Sequence, residues 1–111
     1  MSAKLDHTLL ALADPTRRAI LERLSLGEAR VTEVARPFKI SLNSVSKHIR
    51  VLERARLVRR RRSGREHWLS FDPRPLVEAA AWIDKQRTFW IARLDALEQV
   101  LREDDARSKR P

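Results

Sequence analysis

The chain has 111 residues, enough for one modest hydrophobic core and too few for two. Hydrophobic residues make up 42% and charged residues 35%, with only two glycines, which suits a helix-rich domain better than a disordered chain or a many-turned β-sandwich. A formal charge of +9 points to a polyanionic partner, nucleic acid before anionic membrane, and zero cysteines exclude disulfides, thiolate metal sites and thiol redox sensing.

No apolar run approaches the roughly 18 residues needed to cross a bilayer. The opening "MSAKLDHTLLALA" interrupts its short apolar patch with Asp6 and His7, unlike a signal peptide. The expectation is a soluble cytoplasmic protein with no membrane partner.

Leu5, Leu9 and Leu12 recur at helical spacing, so a first short helix is expected over residues 4–13. Asp14-Pro15 restarts the chain, because an aspartate N-cap accepts from orphan amides and proline at the first helical position has no N–H to leave unpaired. Ile20, Leu21 and Leu24 form the buried stripe of this second helix, and Gly27 ends it. A third, short helix is expected over 32–38, with Val31, Val34 and Ala35 apolar and Pro37 limiting its length.

After Lys39-Ile40, Ser41 is placed to cap a fourth helix reaching about Ala55. On its wheel Val45, Ile49 and Leu52 fall on one side, and Asn43, Lys47, Arg50 and Arg54 on the other. Two helices joined by a short link, the second opening with small polar and then basic residues, predict a helix-turn-helix. Ser and Asn are short enough to let a helix lie deep in the major groove. Asn and Arg can bond base edges bidentately, and further Lys or Arg can neutralise phosphates.

"LVRRRRSGREHWLSF", residues 57–71, has turn chemistry at Ser63-Gly64 and strand formers on the return, so a basic hairpin, or wing, is expected. Residues 36–65 carry eleven Lys or Arg against one acid, Glu53, a local charge of +10 that leaves the remaining chain at −1. The excess is therefore a localised electrostatic footprint.

Asp72-Pro73 repeats the helix-start signal, with Pro75 still in the opening turn. From Leu76 the positions 76, 80, 83, 87, 90, 94, 97 and 101 step by four and three and are apolar except for Arg87, while Trp82, Phe89, Ala96 and Val100 form a second seam. A helix apolar on two adjacent faces has more to bury than one small domain can cover, so a homodimer is expected through it and the first helix. The expected interface residues are Leu5, Leu9, Ile83, Trp90, Leu94, Leu97 and Leu101. Residues 1–101 are read as one DNA-binding and dimerisation domain, and 102–111 as a polar, flexible tail.

"LADPTRRAILERL", "PFKISLNSVSKHIRVLERARLV", the basic hairpin and the "FW…RLDALE" of the last helix together resemble the ArsR-type (ArsR/SmtB) winged-helix transcriptional repressors of bacteria. The resemblance runs from Leu5 to Leu101. It implies a mainly α, winged helix-turn-helix fold of four helices, a two-stranded wing and a fifth helix, assembled as a homodimer. Carried over by residue, Ser41, Asn43, Ser44, Ser46, Lys47 and Arg50 match the recognition helix. Thr16, Arg17 and Arg18 match the start of the second helix, which in relatives lies near the phosphate backbone. His48 sits where the motif has histidine, flanking the apolar side, as either a phosphate contact or a packed helix–helix hydrogen bond.

Two departures stand out. Arg56 occupies a position where relatives commonly have glycine in a left-handed helix cap, costing a non-glycine residue about 1 kcal/mol. Asn43 stands where close relatives often have proline, which bears on base preference. The family's metal sensors place cysteines where this chain has Arg30 and Thr32, and use histidines in a last helix that here has none between 76 and 101. No metal and no cofactor are expected, and whether an effector ligand exists is left open.

Alternate arginines of the 59–62 run point to opposite faces, so about half are expected on DNA; Arg62 and Arg65, nearest the tip, are the candidates. A solvated edge strand explains the rest. The aromatics Trp82, Phe89 and Trp90 read as packing rather than an effector pocket. With no nucleophile–base pair, phosphate loop or ligand cluster, the chain is not expected to be an enzyme. The expected activity is sequence-specific, metal-independent repression at a near-palindromic double-stranded operator. The rival is a nonspecific architectural nucleic-acid binder, which would share the charge but not need Asn43 or Ser44.

Overall fold

A computed structural model describes residues 3–108 of the chain. The elements run α1 (Ala3–Leu12), α2 (Pro15–Leu24), β1 (Ala29–Arg30), α3 (Val31–Ala35), α4 (Leu42–Arg54), β2 (Val58–Ser63), β3 (Glu66–Phe71) and α5 (Arg74–Ser108). This is a winged helix-turn-helix, mainly helical, with the wing as an antiparallel hairpin.

Helix starts follow local chemistry. The Asp14 carboxylate accepts from the Arg17 N–H at 3.0 Å, with Pro15 at the first helical position. Ser41 Oγ accepts from the Ser44 N–H at 3.1 Å. Asp72 accepts from the Arg74 N–H at 3.1 Å, and the Pro73 carbonyl takes the first bond of α5, from Val77. Gly27 (φ +140°) and Gly64 (φ +62°) supply the two left-handed turns that glycine permits without strain.

Two elements differ from the expected pattern. α3 stops at Ala35, before Pro37, whose missing N–H and ring cannot continue the helix, while Arg36 between them keeps a helical backbone (φ −53°, ψ −43°). The two-residue strand β1, which no periodicity marks, adds a third strand in the order β1-β3-β2, pairing Ala29 with Leu69 and Arg30 with Trp68. β2 and β3 pair from Val58–Phe71 to Ser63–Glu66.

The chain divides after Ala79 into two compact units. In the first, Ile20, Leu24, Val34, Val45, Ile49, Leu52, Leu57 and Leu69 form the core, with Phe38, Phe71 and Leu76 packed against it. Each fully buried aliphatic side chain contributes roughly 1.5–3 kcal/mol. Val45, Ile49 and Leu52 are each 0% exposed, and they seat α4 and so aim its other face outward. The second unit is the remainder of α5, which presents Trp82, Ile83, Phe89, Trp90, Leu94, Leu97 and Leu101 to solvent.

Residues 102–108, expected as a frayed tail, continue α5. No breaker interrupts them, and Arg102 pairs with Glu98 one turn back at 2.6 Å. Residues 109–111 of that expected tail lie outside the described residues.

Candidate nucleic-acid interface

α4 turns Ser41, Asn43, Lys47, Arg50 and Arg54 to solvent while Ser44 and Ser46 are half-buried along the edge of that face. Ser41 and Ser44 are tied together, Ser41 Oγ donating to Ser44 Oγ at 2.9 Å, so these two hydroxyls hold the helix start. Leu42 lies on the same heptad-like track as Val45, Ile49 and Leu52 and by spacing belongs to the core, yet it is 54% exposed beside Asn43. Its side chain lines a groove shared with the wing, a placement that only the tertiary structure reveals.

Among the described residues Lys39, Lys47, Arg50, Arg54, Arg62 and Arg65 have no carboxylate partner. The wing sorts its own arginines. Arg59 reaches Asp72 at 3.1 Å, Arg60 reaches Glu53 at 2.8 Å, and Arg61 reaches Glu28 at 2.6 Å. Arg61 also lies over the Trp68 ring at 5.6 Å, with Arg30 over the same ring at 5.8 Å and bonded to Glu33 and Glu66. Exposed pairs of this kind add little stability, but they fix where each guanidinium points. Arg62 and Arg65 are left at the tip; Arg62 Nε donates to the Gly64 carbonyl and Arg65 is exposed.

Between the start of α3, the first turn of α4 and the wing runs a groove of about 360 Å³, lined in part by Thr32, Leu42, Ser46, Arg60, Arg65 and His67. His67 Nδ1 is buried there without a hydrogen-bond partner among the described residues.

At the start of α2, where phosphate contacts are expected, both arginines bond the end of α1. Arg17 is turned inward: Nε donates to the Ala11 carbonyl and Nη2 to the Leu10 carbonyl, both at 2.9 Å, while Nη1 lies 3.2 Å from His48 Nδ1. Arg18 Nη1 donates to the Leu12 carbonyl at 2.8 Å. The physical reason is that the last carbonyls of α1 lack intrahelical partners and carry the negative end of its dipole, so nearby guanidiniums collect there. Arg18 remains exposed and Thr16 is half-buried. His48 makes the helix–helix hydrogen bond through Nδ1, to Arg17.

Carboxylates around the site are held ionised. The Arg17 backbone N–H and, further off, His48 lower the Asp14 carboxyl below its ordinary 3.8. The Arg74 guanidinium does the same to Asp72, more strongly. At positions 30 and 32, Arg30 is committed to its two glutamates and Thr32 is exposed. Among the described residues no cluster of three or more His, Asp or Glu side chains is placed to hold a metal ion, and no helix is long and apolar enough to cross a membrane.

A helix seated by its apolar face, polar and basic on the other, beside a hairpin with unpaired arginines at its tip, defines a winged-helix DNA-binding protein. A family model of helix-turn-helix domains matches residues 12–61. The chain is 40% identical over 96 residues to the HTH-type transcriptional regulator Rv2034 of Mycobacterium tuberculosis, covering 86% of this chain and 87% of that one. The crystal structure of the ArsR family transcriptional regulator RHA00566 superposes with a TM-score of 0.75 at 41% identity, over 78% of this chain and 96% of that chain. Mb0332 of Mycobacterium bovis, a homodimeric winged helix-turn-helix DNA-binding domain and possible ArsR-family regulator, matches with a TM-score of 0.58 at 26% identity, over 87% and 82%. The chain belongs to the ArsR-type winged helix-turn-helix family, and its function is DNA-binding regulation of transcription.

Proposed function

We infer that the protein is a metal-independent repressor that binds a near-palindromic operator as a homodimer. The observation that carries this reading is the division of α4: one face buried to 0% exposure at Val45, Ile49 and Leu52, the other open and basic. Asn43 and Arg50 read base edges, and Ser41, Ser44, Ser46 and Lys47 contact the backbone or bases beside them. Leu42, exposed at the helix start, adds an apolar contact suited to a thymine methyl. Arg62, Arg65 and, from α2, Thr16 and Arg18 hold phosphates; the strand between the two DNA grooves runs along the groove lined by Thr32, Ser46 and Arg65.

Dimerisation is supported by the exposed seam of Ile83, Trp90, Leu94, Leu97 and Leu101 on α5, with Leu5 and Leu9 of α1 as further contacts. A two-fold dimer presents two α4 helices to half-sites about one helical turn, roughly 10 base pairs, apart, and bound over a promoter it blocks polymerase. Residues 1–101 thus act as one reading and dimerising domain, in the cytoplasm, with no cofactor and no enzymatic activity.

The test is titration of the protein, with and without EDTA, into a fragment of its own promoter and a scrambled duplex, at several salt concentrations. Preference for the promoter by about a thousandfold, unchanged by EDTA, is expected. Equal affinity for the promoter and scrambled duplexes, and for duplexes recovered by selection from random DNA, collapsing together as salt rises, would instead identify an architectural binder.

A further inference from the structure

Arg17 joins three elements through one guanidinium. Two of its nitrogens close the end of α1 at Leu10 and Ala11, and the third faces His48 on the reading helix at 3.2 Å. The same His48 nitrogen, Nδ1, lies 3.7 Å from Asp14 Oδ2, the atom that accepts the Arg17 N–H. His48 and Asp14 side chains are 24% and 30% exposed, so the corner is screened from water without being sealed.

A guanidinium has only hydrogens to offer. A bond from Arg17 therefore requires a lone pair on Nδ1, which is the neutral imidazole with its hydrogen on Nε2. Protonation places a hydrogen on Nδ1, where it meets a cation and has Asp14 as its nearest acceptor. The ring thus has one partner for each protonation state. Arg17 and Asp14, from α2 and its cap, are the charged side chains within reach of Nδ1 among the described residues. α1 contributes carbonyls already taken by Arg17, and on α4 the nearby cations Lys47 and Arg50 are exposed.

We propose that Arg17 and His48 are positioning residues for DNA reading, and that the proton on His48 Nδ1 sets how firmly α4 is held against the α1–α2 corner. This rests on α4 being the reading helix. Added charge on His48 attracts any DNA, so the switch shows itself in discrimination rather than in affinity alone. Discrimination between operator and scrambled duplex falls as pH is lowered, while scrambled-duplex binding holds or tightens.

The experiment measures that ratio at fixed salt from about pH 8 to about pH 5, the interval in which histidine changes charge, using an operator obtained by selection from random DNA. Wild type is expected to lose about three- to tenfold in discrimination, the worth of one hydrogen bond. In His48→Asn the amide oxygen occupies the Nδ1 position and accepts from Arg17 without titrating, so discrimination should persist and its pH profile flatten. Arg17→Lys, which lacks the three-way fork, should lose discrimination already at about pH 8, with its helical content by circular dichroism unchanged. His7 and His67 are present in every variant, so the difference between profiles isolates His48. A wild-type ratio constant with pH, or an asparagine variant that follows the wild-type profile, overturns the proposal. Nitrogen-15 spectra of the free protein test the tautomer without DNA: Nε2–H on His48 at high pH supports the proposal, and Nδ1–H overturns it. Absence of discrimination at every pH would overturn the DNA-reading function and this proposal with it.

Discussion

Arg56 holds φ at +60°, a left-handed conformation that a side chain disfavours. The reason is visible in its hydrogen bonds: Arg56 N–H donates to Glu53 and Leu57 N–H to Leu52, each at 3.0 Å, which together make the double-bonded helix cap that glycine usually completes. Leu52 and Leu57 are both fully buried, so the core dictates the turn and Arg56 conforms. Arg56→Gly is expected to stabilise the protein by about 1 kcal/mol, raising Tm by roughly 4 °C. A lower Tm would show that the guanidinium contributes more than the strain costs. At Asp14 the sign is opposite: Asp14→Ala removes the cap of α2 and should cost about 1 kcal/mol at neutral pH. Because folding lowers the Asp14 pKa below its ordinary 3.8, its contribution is present above that value and fades as pH falls through and below it. Denaturant titrations of both proteins should therefore converge below about pH 4.

The wing shows how an element distributes identical residues. Cross-strand pairing sets Arg60 opposite Leu69 and Arg62 opposite His67, whereas Arg61 sits opposite Trp68 and stacks on it. Arg59, Arg60 and Arg61 each have a carboxylate, which leaves Arg62 and Arg65 as the proposed phosphate contacts. Replacing those two by Ala should weaken operator and scrambled DNA alike and reduce the slope of log affinity against log salt by about two. A loss confined to operator would contradict the phosphate assignment. The alternation and the turn at Ser63-Gly64 are properties of adjacent residues and were legible in the sequence, as were the capped starts at Asp14-Pro15 and Ser41. Two residues cannot display a period, so β1 was not. Nor could the sequence show that Arg17 points inward, since its three acceptors are a histidine 31 positions away and backbone carbonyls that exist as unpaired groups only once α1 has formed.

At the scale of the molecule, the single chain leaves a long apolar surface open. Trp90 is 57% exposed, Leu94 60% and Leu101 59%, along one line of α5, and Trp82, Phe89 and Val100 continue it on the adjacent face. Soluble monomers rarely expose contiguous apolar patches beyond a few hundred Å². The interruption at Arg87 is mild, its guanidinium lying 3.9 Å from Asp84 one turn back, where it stays in solvent. Leu94→Asp puts a charge at the middle of the seam, where burial against a second copy would strip its water. Light scattering should then report a monomer, and an intact dimer would remove this face from the interface. Circular dichroism separates that outcome from unfolding, because α4 and its core lie in the unit that ends at Ala79 and should retain their signal. The same variant tests two-site reading. Losing the tethered proximity of a second α4 should weaken operator binding by about 10²- to 10⁴-fold. Scrambled DNA, bound through phosphates by each copy separately, should lose far less, so the discrimination of the monomer collapses even though every base-reading side chain is still in place.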